Sequence, residues 1–355
     1  MVTHFSKKRL RSVLIIVLAA LVFHLCGGFL HLFARDFSED FDYPYSGNVK
    51  FLVDQMMNGA EFTPSNYYYF KYRSNLSHIC NSSVKLLFLV KSDPEHYEQR
   101  NIIRWTWGST KQFDGNINIK TVFLIGSREY ENERLTAESN THNDILQGNF
   151  TDSYFNNTIK TMMGFKWAFE FCSKSTDYFM FVDDDYYVSP KNLLEFVKNP
   201  YIFPGRDKRV TKYSFIDLSP DKFELYAGFV FESSPFRSYF SKWYVSLKEY
   251  PYNKWPPYVT AGAYVLSRLS LIRMYYASLF MDHFRFDDIY VGILAYKLKI
   301  EPIYNENFHF HKLSYTSKGY RQLIASHGYS NPEELWSVWK DYNNYEKLIE
   351  QTGAP

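Results

Sequence analysis

Tyr178-Phe179-Met180-Phe181-Val182 runs without a break into Asp183-Asp184-Asp185. A short apolar and aromatic run ended by carboxylates describes a buried strand whose carboxyl end opens at a polar site. In open α/β sheets ligands bind beyond the carboxyl ends of the strands, so the acids mark where chemistry belongs. Adjacent carboxylates repel unless a cation or hydrogen bonds neutralise them. Oxygen ligands of this kind suit Mn²⁺ or Mg²⁺, above all when a diphosphate completes the shell. A water-exposed acidic turn is the plainer alternative. A calcium loop is excluded: counted from Asp183, the sixth residue is Val188 rather than Gly, and the twelfth is Leu194 rather than Glu.

Outward from this strand, Val84–Val90 and Thr121–Ile125 read as further strands, the second stopped by Gly126. Arg100–Trp107 is predicted to be a helix ended by Gly108. Residues 158–172 carry a broad apolar helical face, with Lys166 and Glu170 as an i,i+4 surface pair. Asn331-Pro332-Glu333-Glu334 has the cap, proline and acidic first turn of a helix start. Strands alternating with helices predict an α/β fold with a mostly parallel sheet and helices on both faces.

A second acidic pair, Asp287-Asp288, lies in Phe286-Asp-Asp-Ile-Tyr-Val-Gly292. It fits a general base acting on a hydroxyl, and equally a helix N-terminus with acids in its first turn. Arg100 and Arg104, one turn apart, suit phosphate or a solvated basic face. In Trp255-Pro-Pro-Tyr258-Val-Thr-Ala-Gly262-Ala263 the small residues leave room for a ligand at the backbone, or form a tight corner. His309 and His311 alternate as on one strand face, but two ligands do not make a zinc site. On spacing alone they read as structural, as does His327.

Lys7-Lys-Arg-Leu-Arg11 precedes an uncharged run from Val13 to Leu32, and Asp36, Glu39, Asp40 and Asp42 follow it. As one helix the run rises about 30 Å, enough to cross a bilayer core. The basic flank predicts a cytosolic N-terminus and a lumenal or extracellular body. A cleaved signal peptide fits less well, because the run is long and no small-x-small site follows it. The predicted organisation is a tail at 1–11, a transmembrane signal-anchor at 12–34, a lumenal stem at 35–80 and a catalytic domain at 81–355. Sequons at Asn75, Asn81, Asn149 and Asn156 all fall on the lumenal side. With Cys26 in the apolar run, Cys80 and Cys172 are left as a disulfide pair in an oxidising compartment, or as two buried thiols. A formal charge of +2 on 355 residues gives no nucleic-acid footprint. Aromatic content of 20% belongs to packed cores, sugar-stacking walls or membrane interfaces, among which composition does not choose.

Together the segments resemble the β-1,3-galactosyltransferase family, glycosyltransferase family 31, from about Cys80 to Trp339. The matching motifs are Leu86–Ser92; Arg100-Asn-Ile-Ile-Arg-Trp-Thr-Trp-Gly108; Val122–Gly126; Asp144-Ile-Leu-Gln-Gly-Asn-Phe150; and Asp152-Ser-Tyr-Phe-Asn-Asn-Thr-Ile-Lys160-Thr161. They continue through Phe181–Asp185, Lys242-Trp-Tyr-Val-Ser246, Trp255–Ser267 and Asp287–Gly292. The resemblance implies a GT-A fold, a single-pass Golgi membrane enzyme and a UDP-sugar donor. It implies inverting transfer of a hexose, first of all galactose, to the 3-hydroxyl of a glycan on a glycoprotein or glycolipid. N-acetylgalactosamine and N-acetylglucosamine donors share these motifs. In this reading Asp185 and His327 hold Mn²⁺ or Mg²⁺, and Asp288 or its neighbour Asp287 is the base. Asp183 and Asp184 orient ribose or metal-bound water, and Arg100, Arg104 and Lys160 meet the diphosphate. Trp243, Trp255, Tyr258 and Gly262 face the acceptor.

Three departures stand out: Asp287 where the family has Glu, Val259-Thr260 in place of Cys-Ser, and Asn157 in place of Leu. A catalytically silent sugar-binding relative would often have lost the acids present here. A metal-dependent phosphohydrolase would fit the acids alone but not the other motifs.

Overall fold

A computed structural model describes residues 7–74, 76–109, 117–128, 133–206 and 217–352. The sequon at Asn75 lies outside them. The chain divides into two compact units, Met1–Gly47 with Glu232–Pro256, and Asn48–Phe231 with Pro257–Pro355.

In the first unit, α1 (Lys7–Leu25) is followed by the short α2 (Gly28–Leu32). The apolar run read as a span at 12–34 is therefore two helices rather than one. Gly27 takes a left-handed φ of 84° and breaks the run, leaving Val13–Leu25 as its longest continuous helical part, with a rise of ~20 Å. Among the described residues no helix is long and apolar enough to cross a membrane. The rest of the unit is organised by Arg237, which is buried and donates to the carbonyls of Val245, Tyr250 and Tyr252, each at 2.8 Å. Trp255 is also buried there, its ring 4.0 Å from that of Tyr250. It is thus a core residue of this unit, a correction to the acceptor-stacking role expected of it.

The second unit opens with α3 (Val49–Met57), which buries Val49 and Val53 and packs on α8 (Arg268–Ser278). Asn66 and Arg73 then tie the chain to the carbonyls of Ser278 and Gln147. Residues 48–80, expected as stem, therefore belong to the folded unit. The main sheet is built from β1 (Val84–Lys91), β2 (Ile119–Ser127), β3 (Ile145–Thr151), β4 (Thr176–Asp183), β6 (Tyr226–Phe231), β7 (Tyr258–Ser267) and β8 (Ile303–Tyr304). Its order is β3-β2-β1-β4-β7-β6-β8. The first four strands are parallel, β7 is antiparallel to both neighbours, and β8 is parallel to β6. The predicted α/β sheet is present, with a mixed half that begins at β7.

The parallel half follows from its residues. Phe88 and Leu89, Leu124 and Ile125, and Met180 and Phe181, which point to opposite faces within each pair, are fully buried, as strands covered on both faces require. Helices α4 (Tyr97–Trp105), α5 (Glu133–His142) and α6 (Asn157–Cys172) make the crossovers. After β4 come β5 (Tyr187–Val188) and α7 (Pro190–Lys198), whose Ser189 caps the Asn192 amide. Toward the C-terminus lie α9 (Asp287–Leu298), β9 (Phe308–His309), β10 (Ala325–Ser326) and α10 (Pro332–Thr352). A small sheet orders β5-β10-β9 and so brings His327, just past β10, back to the strand that follows the acids. Cys80 and Cys172 are joined by a disulfide. Asn81 and Asn149 are exposed, whereas the Asn156 amide donates to the Thr151 carbonyl at 2.8 Å.

Candidate active site

Parallel pairing sets the site. Lys91, the last residue of β1, is in register with Asp183, the last residue of β4. Its ammonium is buried and lies 3.0 Å from Asp183 Oδ1 and 2.9 Å from Asp287 Oδ2. One lysine thus joins the two acidic groups, which are far apart in sequence. Burial opposes its charge, but Asp183 and Asp287 outweigh burial and hold its pKa above the usual value. Nothing but a charged residue closing an apolar strand marked Lys91 in the sequence.

Both acids of the second pair sit in the first turn of α9, in different environments. Asp287 is buried and accepts from Lys91 and, at 3.0 Å, from the Thr161 hydroxyl. Burial works against its charge, yet Lys91 and Thr161 keep its pKa below the ordinary range. Asp288 is half-buried, and Oδ1 accepts from the Ile289 amide at 2.8 Å. Burial, and then the charge of Asp287, push it up to about 7. Two neighbouring carboxylates with pKa values driven apart are the usual sign of divided roles. The basic member is Asp288.

The acids of the triplet also separate. Asp183 rises to about 6, chiefly through burial; Lys91 opposes the shift, and Asp185 and Asp287 add to it. Asp184 is buried, with Oδ2 accepting from the Ser92 hydroxyl at 2.6 Å and lying 2.9 Å from His96 Nδ1. That contact, above all, raises the pKa of His96. Asp185 Oδ2 lies 3.0 Å from His327 Nε2, and Asp185 Oδ1 is buried with no hydrogen-bond partner. Contact with Asp185 raises His327 as well.

Other expected residues have different tasks. Arg100 is fully buried, bound to Glu138 at 2.7 and 2.9 Å and to the Ser92 hydroxyl at 3.0 Å. Arg104 bonds Glu138 at 2.8 Å and Asp144 at 2.7 and 2.9 Å. The expected diphosphate-facing pair is therefore a buried ion cluster, which braces Ser92 and through it Asp184. Lys160 is also buried, donating to the Ser92 carbonyl at 2.7 Å and to Asp152 at 2.8 Å. Gly262 makes room for protein rather than ligand, since a Cβ there would meet the Tyr186 hydroxyl at 2.2 Å. The ring of Tyr186 lies 5.2 Å from that of His327. Tyr258 packs on Gly292 of α9, where a Cβ would come within 2.4 Å of its own. Trp243 is half-exposed in the other unit, its ring 5.6 Å from that of Phe236.

Lys91, Ser92, His96, Thr161 and Tyr186 thus join a site that the sequence reading had drawn around the acids. Cavity size does not locate it: a cavity of about 940 Å³ lies beside the other end of β1, at Ser83, Lys85 and Tyr187. What the site offers is a fixed cation, a buried acid held charged by it, a more basic carboxylate beside that acid, and an Asp–His pair with acceptor capacity to spare.

Residues 98–306 match a family model described as Galactosyltransferase. The chain is 39% identical over 337 residues to beta-1,3-galactosyltransferase brn of Drosophila melanogaster, covering 94% of this chain and 96% of that protein. It is 32% identical over 288 residues to beta-1,3-galactosyltransferase 1 of Homo sapiens, covering 80% and 82%. For beta-1,3-galactosyltransferase 5 of Mus musculus the figures are 31% over 267 residues, 73% and 79%. A solved glycosyltransferase involved in glycosylation of the major capsid of PBCV-1 overlaps at a TM-score of 0.31 and 14% identity, over 72% of this chain and 99% of that one, too loosely to bear on the fold. With a family model over more than half its length and relatives matched over most of theirs, the chain belongs to the β-1,3-galactosyltransferase family, glycosyltransferase family 31, and is a glycosyltransferase.

Proposed function

We propose that the chain transfers galactose from UDP-galactose to the 3-hydroxyl of an acceptor glycan on a glycoprotein or glycolipid, with inversion, forming a β-1,3 linkage. The observation that carries the mechanism is the asymmetry of the α9 acids. Lys91 and Thr161 hold Asp287 ionised, and its charge makes Asp288 the better proton acceptor. Asp288 takes the proton of the acceptor hydroxyl as that oxygen attacks the anomeric carbon from the face opposite the leaving diphosphate. A single displacement converts an α-linked donor to a β-linked product. Asp287 positions rather than reacts. The galactose assignment rests on the names of the relatives.

A divalent ion, Mn²⁺ or Mg²⁺, fits Asp185 and His327, because Asp185 Oδ1 is buried without a partner beside the imidazole. Among the described residues no cluster of three His, Cys, Asp or Glu side chains could hold a metal, so water and substrate phosphates would have to complete the shell of an ion held there. When bound it supplies charge neutralisation to the departing diphosphate. Asp183 and Asp184 order the donor side of the site. In this reading the second unit is a GT-A domain. The protein is a single-pass Golgi membrane enzyme, anchored by its apolar N-terminal segment with the catalytic unit lumenal. The exposed apolar residues of α1 and the Cys80–Cys172 disulfide support that location.

The test offers UDP-galactose, UDP-N-acetylgalactosamine and UDP-N-acetylglucosamine with Mn²⁺ to the purified chain and a panel of glycan acceptors, with linkage analysis of the product. A β-1,3-galactoside is expected. Transfer only from an N-acetylhexosamine donor, or a retained anomer, overturns the assignment.

A further inference from the structure

A side chain at Gly27 would strike the Arg237 carbonyl at 2.2 Å, so only glycine lets the end of α1 come this close to the segment that follows Arg237. The approach is fixed by a hydrogen bond from the Tyr239 amide to the Leu25 carbonyl, 3.1 Å, and by ring contact between His24 and Tyr239, 5.5 Å. Arg237 secures the same segment from within. Although held on both sides, the segment turns Phe236, Tyr239, Phe240 and Trp243 outward, with Phe240 77% exposed. Helix α2 adds exposed Phe29 and Leu32, and the Lys242 ammonium lies 4.6 Å over the Trp243 ring.

We infer that residues 236–243, with α2, form a membrane-interface patch that rests in the headgroup layer of the bilayer entered by α1. This rests on the proposed anchoring. The occupant is lipid because the patch continues the apolar surface of α1, where Leu14, Ile15 and Leu18 are exposed, and joins it at Leu25, where α1 ends. That depth is where tyrosine and tryptophan are favoured, with an apolar body and a polar edge. A lysine whose stem lies along the patch can lift its charge into water. The helical apolar stretch, with a rise of ~20 Å, falls short of a hydrocarbon core of ~30 Å. A short stretch draws its flanking residues down toward the interface, and here those residues are aromatic.

The test uses the full chain with its free cysteine removed by Cys26→Ser, reconstituted in phosphatidylcholine vesicles. Single cysteines introduced by Phe240→Cys, Leu18→Cys or Asn344→Cys carry an environment-sensitive fluorophore. All three residues are exposed, so the changes spare the core. Nitroxide lipid should quench the labels at 240 and 18, residues at interfacial and core depth, and aqueous iodide only the label at 344. Lipid quenching at 18 combined with iodide quenching at 240 overturns the patch and leaves the anchor standing. Absence of lipid quenching at 18 overturns the anchor itself.

Discussion

Two aspartates adjacent in sequence have been given different electrostatics, one of them held charged by a single lysine. If Asp288 acts as base, only its ionised form is active, so kcat/KM should rise with pH to a plateau above about 7. Asp287→Asn removes the neighbouring charge that raises Asp288 and should move this acidic limb to lower pH; an unmoved limb would contradict the coupling. Asp288→Asn should lower transfer 10²–10⁴-fold, the usual worth of a general base, with UDP-sugar binding by calorimetry unchanged. The same substitution should stabilise the fold. A carboxyl whose folded pKa is raised contributes stability below its unfolded value of 3.8, and that stability is lost as pH rises through about 7. The Asn variant should therefore gain about 1–2 kcal/mol at pH 8, a difference that vanishes toward pH 4 in urea titrations. Asp185 and Asp288 were visible as residue types in the sequence. Lys91 was not, because its role comes from register between β1 and β4, and a lone lysine at a strand end carries no such information.

At the scale of elements, one buried carboxylate holds α4 and α5 together, and a second carboxylate ties α4 to the start of β3. Glu138 accepts from both Arg100 and Arg104, while Asp144 takes the other edge of Arg104. Glu138→Gln leaves buried guanidinium charge uncompensated and should cost about 3 kcal/mol by chemical denaturation. Breaking the more exposed Lys166–Glu170 pair of α6 by Glu170→Gln should cost no more than ~0.5 kcal/mol. Equal losses would mean that Glu138 is not the brace described. The sequence placed Arg100 and Arg104 one turn apart on a helix, but the same spacing serves phosphate, solvent or a buried acid. Only the packing of α5 against that face chose among them. Gly262 shows the same limit: a small residue announces that something comes close, and tertiary structure identifies it as Tyr186.

For the whole molecule, the disulfide between Cys80 and Cys172 spans 92 residues and encloses β1, β2 and β3. Closing a loop of that length stabilises by about 4.6 kcal/mol in the chain-entropy account. Replacing both cysteines by serine should lower stability by that order in urea titrations, and an unchanged midpoint would argue against the bond. The units are less legible than the fold. Residues 35–80 looked like one stem, yet they divide at Gly47, and Glu232–Pro256 leaves the catalytic unit to join the N-terminal one. Aromatic content warned of this only indirectly, since the same rings fill a sheet core around Phe88 and a second small core around Tyr250 and Trp255.

Local chemistry determined what the sequence could state by itself. Apolar runs of strand length, a helix face repeating every third or fourth residue, and carboxylates at the end of a buried strand are short-range patterns. They sufficed for the α/β class, for the strand that bears the acids and for the family. Which groups meet is a long-range matter, settled by strand register and helix packing. That level brought Lys91 between Asp183 and Asp287, turned Arg100 inward, broke the N-terminal apolar run at Gly27, and made Asp288 rather than Asp287 the basic member of its pair. The physical reason is that a pKa depends on burial and on the charges nearby. Neither exists until the chain has folded.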